Sequence, residues 1–305
     1  MRIVRTALAA ALVAASLAGT PLRADPVEEK NVLSGKAKFD PAKGYILVSG
    51  PTRIVGMFLR VPDDATRAEW EKDRQKAFEK AKRRYAGDLA AWNLQASNAR
   101  ANKAEPPPAP VEPTLETFQF DPIDLRDAVS FGPQYVYAKG EPTYYLQAVK
   151  PGTYIWYGNV FGGNGLPAAG TCMCMGTVRF EVKAGVVTDT GNWFLAAPKW
   201  GEDMDVARKT AMEAAAKRAA EGKQPQKTIP VGEVRFGRPA SLKDWPSAQA
   251  EFHANPKLNN MLGIFVSRLA PVPGVLAYHR DIIVDERTGQ EIESPTLISR
   301  AKIKR

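Results

Sequence analysis

Residues 45–61 read YILVSGPTRIVGMFLRV, rich in β-branched and aromatic positions and broken once at Gly50-Pro51, a pattern that predicts strand, turn and strand. The period then changes. From residue 64 to about 104, Trp70, Phe78, Ala81, Tyr85, Leu89 and Trp92 recur at helical spacing. Glu69/Lys72, Glu71/Arg74 and Glu79/Arg83 pair around the other side. Asp63 or Asp64 can cap the start of this helix, and the run EPPPAPVEP at 105–113 ends it, since consecutive prolines cannot continue a helix. The helix is an excursion between strands, and its stripe of Trp70, Phe78, Tyr85 and Trp92 has to bury against something, the protein's own body or a partner.

The strand pattern resumes at Thr117 and runs to about Leu195. It comprises TFQFDPIDL, QYVYAKG, TYYLQAV, TYIWYGNVF, GTVRFEVK and VVTDTGNWF, divided by Gly-Pro, Pro-Gly, Gly-Gly-Asn-Gly and Ala-Gly punctuation. Short strands at this spacing predict a sandwich or barrel, and a β-sandwich is expected. A second helical stretch over 202–222 is Ala- and Lys-rich with a thin apolar stripe, which suits a surface excursion. Residues 241–255 are expected to contain a helix, with Ser241 and Asp244 resembling a capping box and Pro246 near its start. After it come the strand candidates MLGIFVSRL, VLAYHRDIIVD and QEIES, the last two joined through Glu286-Arg287-Thr288-Gly289. Arg300, Lys302, Lys304 and Arg305 alternate in a basic tail suited to a charge-guarded edge strand.

The expected fold class is therefore mainly β, a β-sandwich with long helical insertions and a C-terminal α+β portion. Its expected divisions are a sandwich domain over 25–200 carrying the helix 64–104 and the Pro-rich linker 105–113, a helical arm over 201–226, and an α+β region over 227–305.

The first residues change the picture by adding an address. Arg2 and Arg5 precede an uncharged Ala/Leu/Val-rich stretch at 6–18, too short to cross a bilayer and of the length of a signal-peptide core. Cleavage is expected after Ala24, where Asp25-Pro26 begins a chain that cannot continue the helix; a cut after Ala18 is the alternative. Neither site is followed by Cys, which disfavours an N-terminal lipid anchor. The expected location is periplasmic or secreted, with no transmembrane segment. Removing Arg2, Arg5 and Arg23 takes the formal charge from +9 to +6, a moderate surplus compatible with solubility or with anionic envelope polymers. Nucleic acid is not an expected partner in that compartment.

Candidate chemistry is sparse. Cys172-Met173-Cys174-Met175 gathers the ligand types that soft copper(I) prefers, so Cys172 and Cys174 are the candidate metal pair. The same run reads equally as core packing, or as a Cys172–Cys174 disulfide favoured by an oxidising compartment. Tyr144, Tyr145, Tyr154, Trp156, Tyr157, Trp193 and Trp200 are dense enough for a saccharide-stacking face, and Tyr154 and Trp156, with Trp70 and Trp92 on the helix, are the candidate ligand or partner surface. The Gly-rich loop at 161–165 has no helix behind it and so lacks a phosphate cradle. His253 and His279 are isolated, no nucleophile elbow is present, and Asp121, Asp124 and Asp127 recur as turn formers or a carboxylate cluster. No cofactor is expected.

Pro151, Gly152, Thr153 and Tyr154, followed by Phe180, Val182, Ala184, Gly185, Val187 and Gly191, form a PGTY…FxVxAGxV pattern. That pattern resembles exported bacterial β-sandwich families of unknown function, and more loosely prealbumin-like domains. The resemblance implies a fold and carries no catalytic residues. The functional expectation is an exported, non-enzymatic binding or envelope-associated structural protein, whose partner is an envelope polymer or a protein. A soft-metal carrier using Cys172 and Cys174 is the first alternative, and an envelope hydrolase the second.

Overall fold

The computed structural model describes residues 25–50, 54–140, 142–163, 166–192, 216–222 and 235–294, with Lys209 and Glu213. The segment expected to be a signal peptide with its expected cleavage points, the turn expected at Pro51, Asn164-Gly165 of the Gly-rich loop, Trp193, Trp200, most of the 202–222 stretch and the basic tail lie outside the described residues.

In chain order the elements are β1 (Asp25–Val27), α1 (Glu29–Leu33), β2 (Gly44–Gly50), β3 (Gly56–Arg60), α2 (Asp64–Ala101), β4 (Val129–Phe131), β5 (Thr143–Val149), β6 (Gly152–Gly163), β7 (Leu166–Cys172), β8 (Thr177–Val182) and β9 (Val187–Asp189). They continue with β10 (Ser247–Gln249), β11 (His253–Asn255), β12 (Phe265–Val266), β13 (Leu276–His279), β14 (Ile282–Asp285) and β15 (Gln290–Ile292). The chain is mostly β. One sheet has the order β1-β5-β2-β9-β10, a second has β11-β8-β6-β3-β4 with β7 and β12 attached along the outer half of β6, and a third is β13-β14-β15.

The first two sheets share one apolar cluster. Ile46, Val48, Tyr145 and Val149 from the first meet Phe58, Val129, Phe131, Tyr154, Trp156, Val178, Phe180 and Val182 from the second, with Leu276 and Ile283 of the third closing one side. Trp156 is fully buried, its ring centroid 5.3 Å from that of Phe58. A side chain at Gly56 would collide with Phe131 and Trp156, so the bare backbone there lets both rings close over it.

β2 and β3 are buried along their whole lengths, which explains their unbroken apolar runs. Tyr45 and Leu47 turn away from the shared cluster into a second one with Leu146, Val187 and Leu242. Met57, Leu59, Tyr157 and Val160 turn into a third, covered by Leu258, Met261, Leu262 and Ile264. Pairing at Met57↔Gly158 and Phe58↔Trp156 leaves Tyr157 as the extra residue of a β-bulge that swings the outer half of β6 towards β7.

Several expectations are corrected. TFQFDPIDL forms turns and a single 3₁₀ turn at Ile123–Leu125, because its aromatics are drawn to α2. QYVYAKG forms no strand; Ala138 makes one isolated bridge to Tyr144. The helix expected within 241–255 is absent: a 3₁₀ turn at Ala240–Leu242 stops before Pro246, and β10 and β11 follow. VLAYHRDIIVD is two strands turning at Arg280 and Asp281, both at positive φ, as a tight hairpin requires. The expected C-terminal α+β region at 227–305 is likewise corrected: its described elements are strands and the one 3₁₀ turn, with no α-helix among the described residues, and β10, β11 and β12 add to β9, β8 and β7. Of the expected long helical insertions, α2 is the one described over its whole span; of the 202–222 stretch, Lys209, Glu213 and residues 216–220 are described and are helical.

Trp156→Ala is expected to destabilise the protein by about 3–5 kcal/mol in denaturant unfolding, while Leu94→Ala, exposed on α2, stays within about 0.5 kcal/mol.

Candidate functional site

The most organised polar cluster sits where α2 leaves the body. Arg60 ends β3 with its side chain only 6% exposed. Its Nε donates to the Pro151 carbonyl at 3.0 Å, its Nη1 to Thr66 Oγ1 at 3.1 Å and Asp127 Oδ2 at 3.3 Å, and its Nη2 to Asp63. Asp63 caps α2, accepting from the Thr66 amide at 2.8 Å. Lys150 reaches Asp127 at 3.2 Å, and the Tyr154 hydroxyl donates to the Lys150 carbonyl at 2.7 Å. Burial disfavours the Arg60 charge, but its contacts with Asp63, and with Asp127 beyond it, outweigh that and raise its pKa. The Arg60 hydrogen bond, reinforced by Thr66, holds the Asp63 carboxyl well below the usual carboxylate range. Burial raises the Tyr154 phenol. The guanidinium thus fastens the first turn of α2 to β3, to the start of β6 and to the segment before β4.

Beyond this clamp α2 is covered by its own continuation. Trp92 Nε1 donates to the Pro107 carbonyl and Trp70 Nε1 to the Asp121 carbonyl, each at 2.8 Å. The Phe118 and Phe120 rings lie 5.5 and 5.7 Å from those of Phe78 and Trp70. Twenty-two helical residues between Trp92 and Trp70 are thereby matched by fourteen between Pro107 and Asp121. An extended, proline-rich chain climbs about 3.1 Å per residue against 1.5 Å for a helix, so the shorter segment reaches about 43 Å against about 33 Å for the helix and covers it with slack for the turn at 115–117. Arg126 adds ion pairs to Asp73 and Glu69 at the base. Of the stripe expected to seek the body or a partner, Phe78 is buried and Trp70 and Trp92 are half-buried, all three engaged by the returning chain between Pro107 and Asp121.

Other candidates resolve differently. Tyr154 and Trp156 are 1% and 0% exposed, which corrects the stacking-face expectation: strand alternation points both into the shared cluster. Trp70 and Trp92 are half-buried and engaged by the returning chain rather than offered as a partner surface. Cys172 and Cys174 form a disulfide, Cα–Cα 5.2 Å, both fully buried. Disulfide sulfurs are not thiolates, so the soft-metal pair is corrected for this state of the protein. Among the described residues no three His, Cys, Asp or Glu side chains gather to hold a metal ion, and Asp121, Asp124 and Asp127 form no shared site. Burial raises the Asp124 pKa, and Asp127 serves Arg60. His253 faces Asp285 at 3.4 Å and His279 faces Glu291 at 2.7 Å, separate pairs on separate strands.

Two further polar ties had not been expected from the sequence. Ser241 Oγ donates to Glu29 at 2.7 Å and lies 3.0 Å from the Tyr137 hydroxyl, joining α1 to the 3₁₀ turn. Asp189, its pKa raised by burial, accepts from the Gly191 and Gly237 amides at 2.7 Å, and Asn192 Oδ1 accepts from the Arg235 amide. Together they pinch residue 192 against 235. The signal for the Arg60 clamp was present in the chain: an arginine closing the apolar strand GMFLR, with an aspartate three residues on.

No helix among the described residues is long and apolar enough to cross a membrane. Comparison with known proteins found no matching family model, no matching curated protein and no matching solved structure.

Arg60→Met is expected to cost about 3 kcal/mol in unfolding free energy, because Asp127 stays buried with Lys150 as its remaining cation. Asp63→Asn keeps the cap and removes its charge. A carboxylate whose folded pKa is lowered stabilises above its unfolded pKa of about 4, and loses that contribution as pH falls. The melting temperature of the variant should therefore lie below that of the native protein at pH 7, and the gap should close as pH drops below about 4.

Proposed function

We propose that this is an exported, non-enzymatic binding or envelope-associated structural protein: a β-sandwich from which a helix–polyproline arm projects to meet a partner. One observation carries the reading. α2 and its returning chain are joined to each other through the Trp70–Phe120 and Phe78–Phe118 ring contacts and the Trp70 and Trp92 N–H bonds, and the ion pairs and hydrogen bonds that tie them to the body lie at the base of the arm. An element of 38 residues, about 57 Å long, is thus held upright while adding little to the core of the sheets.

The sandwich is supported by the apolar cluster shared between the two larger sheets, and by the Pro151-Gly152 and Ala184-Gly185 corners, which sit at the start of β6 and between β8 and β9. Export is supported by the charged, then apolar, first residues, and a Cys172–Cys174 disulfide suits an oxidising compartment. A non-enzymatic role is supported by the polar clusters, each of which is accounted for by fastening one chain segment to another.

Replacing residues 75–117 with a short Gly-Ser linker tests the arm, since Trp70 and Phe120 at its base are already in ring contact. The shortened protein is expected to keep its β circular dichroism and to melt within a few degrees of the native one. It should leave the envelope fraction of producing cells for the soluble extract. Failure to fold, or unchanged cofractionation, overturns the reading.

A further inference from the structure

The covered face of α2 leaves the opposite face to solvent, and that face is basic. Lys72, Lys76, Lys80 and Arg83 follow one another at i, i+4, i+8 and i+11, which sets them in one row about 16 Å long. All four are exposed, and among the described residues none has a carboxylate within ion-pair distance: of the pairs expected from the sequence, Glu71/Arg74 forms, whereas Glu69/Lys72 and Glu79/Arg83 do not. The acids that share this side are engaged elsewhere. Asp73 and Glu69 pair with Arg126 at the base, and Glu79 accepts from Gln75. Arg84, beside the row, is answered by Asp88 at 3.7 Å. Towards the tip the sequence from Leu89 to Ala99 carries no charge, so the cationic row occupies the middle of the arm.

The geometry points to a linear polyanion lying along Lys72, Lys76, Lys80 and Arg83 as the partner of the arm. This inference rests on the reading of the arm as a contact element and adds the chemistry of what it contacts. A row one side chain wide matches a chain of repeated negative charges better than a plane of lipid headgroups. An amphipathic helix that lies on a bilayer buries its apolar face there, and here that face is taken by residues 105–120. Three of the four cations are lysines, which act as point charges and do not select a planar, bidentate group. Recognition is therefore by charge spacing along a polymer, as expected of an anionic glycan.

Dextran sulfate, with uncharged dextran as its backbone-matched control, provides the probe, and vesicles of phosphatidylglycerol and phosphatidylcholine provide the lipid surface. The full chain is expected to bind dextran sulfate and not dextran, with affinity falling as salt rises. Lys72→Gln, Lys76→Gln, Lys80→Gln and Arg83→Gln combined should weaken binding tenfold or more at low salt and flatten the salt dependence, with the melting temperature unchanged. Arg100→Gln with Lys103→Gln, near the end of α2, should change it less than twofold. Equal binding by the fourfold variant overturns the proposal. If the variant lacking 75–117 nevertheless loses binding, the arm remains the contact element and only the cationic row is wrong. If that shortened variant binds fully, the row is wrong and the contact reading loses this support. Binding to the anionic vesicles without binding to dextran sulfate also overturns the proposal and assigns a lipid surface instead.

Discussion

Strands buried on both faces have to be covered twice, and β3 with the middle of β6 in the second sheet imposes that demand on the rest of the chain. One face, through Phe58, Trp156 and Phe180, is closed by the first sheet; the other, through Met57, Leu59, Tyr157 and Val160, requires a different cover. Residues 258–264 supply it, held by backbone bonds to the carbonyls and amides around the disulfide: Leu258 to Cys174, Ser267 to Cys172 and Met175 to Ser267. The C-terminal part of the chain is thus a structural requirement of the central sheet, which is why its strands add to both larger sheets instead of forming a unit of their own.

The arm obeys the same rule without help from the sheets. A helix with an aromatic stripe is unstable in water unless the stripe is covered, and here the cover follows directly in sequence. Proline suits this task because it cannot join a helix or a sheet ladder and is already extended. The tryptophan N–H groups then bond to carbonyls that such a segment leaves free. Arg60 orients the result. Its charge is tolerable inside the protein because Asp63, Asp127, Thr66 and a carbonyl answer its donors from several directions.

The strands β2, β3, β5, β6 and β8, the helix α2 and its proline stop, the Pro-Gly and Ala-Gly corners, and the hairpin before β15 were legible, because each rests on side-chain periodicity or on a residue with restricted backbone freedom, whereas TFQFDPIDL and QYVYAKG carried a strand pattern and formed none. The site was less so. Tyr154 and Trp156 carried the right side chains for a binding face, but which face of a strand is buried depends on what packs there, and alternation alone does not decide it. Cys172 and Cys174 were compatible with thiolates or with a disulfide, since the choice turns on whether a bend brings the two Cβ atoms together.

By itself, then, the sequence determined where the period changes, which residues interrupt it and where the charges lie along the chain. Only the tertiary structure decided that the helix would be sheathed by its own proline-rich continuation, that Arg60 would be buried with two aspartates 3 and 67 residues away, and that the last strands would complete sheets begun far earlier. The physical reason is that local pattern fixes a segment's conformation and its apolar side, whereas the surface that meets that side is chosen by competition among all segments able to exclude water from it.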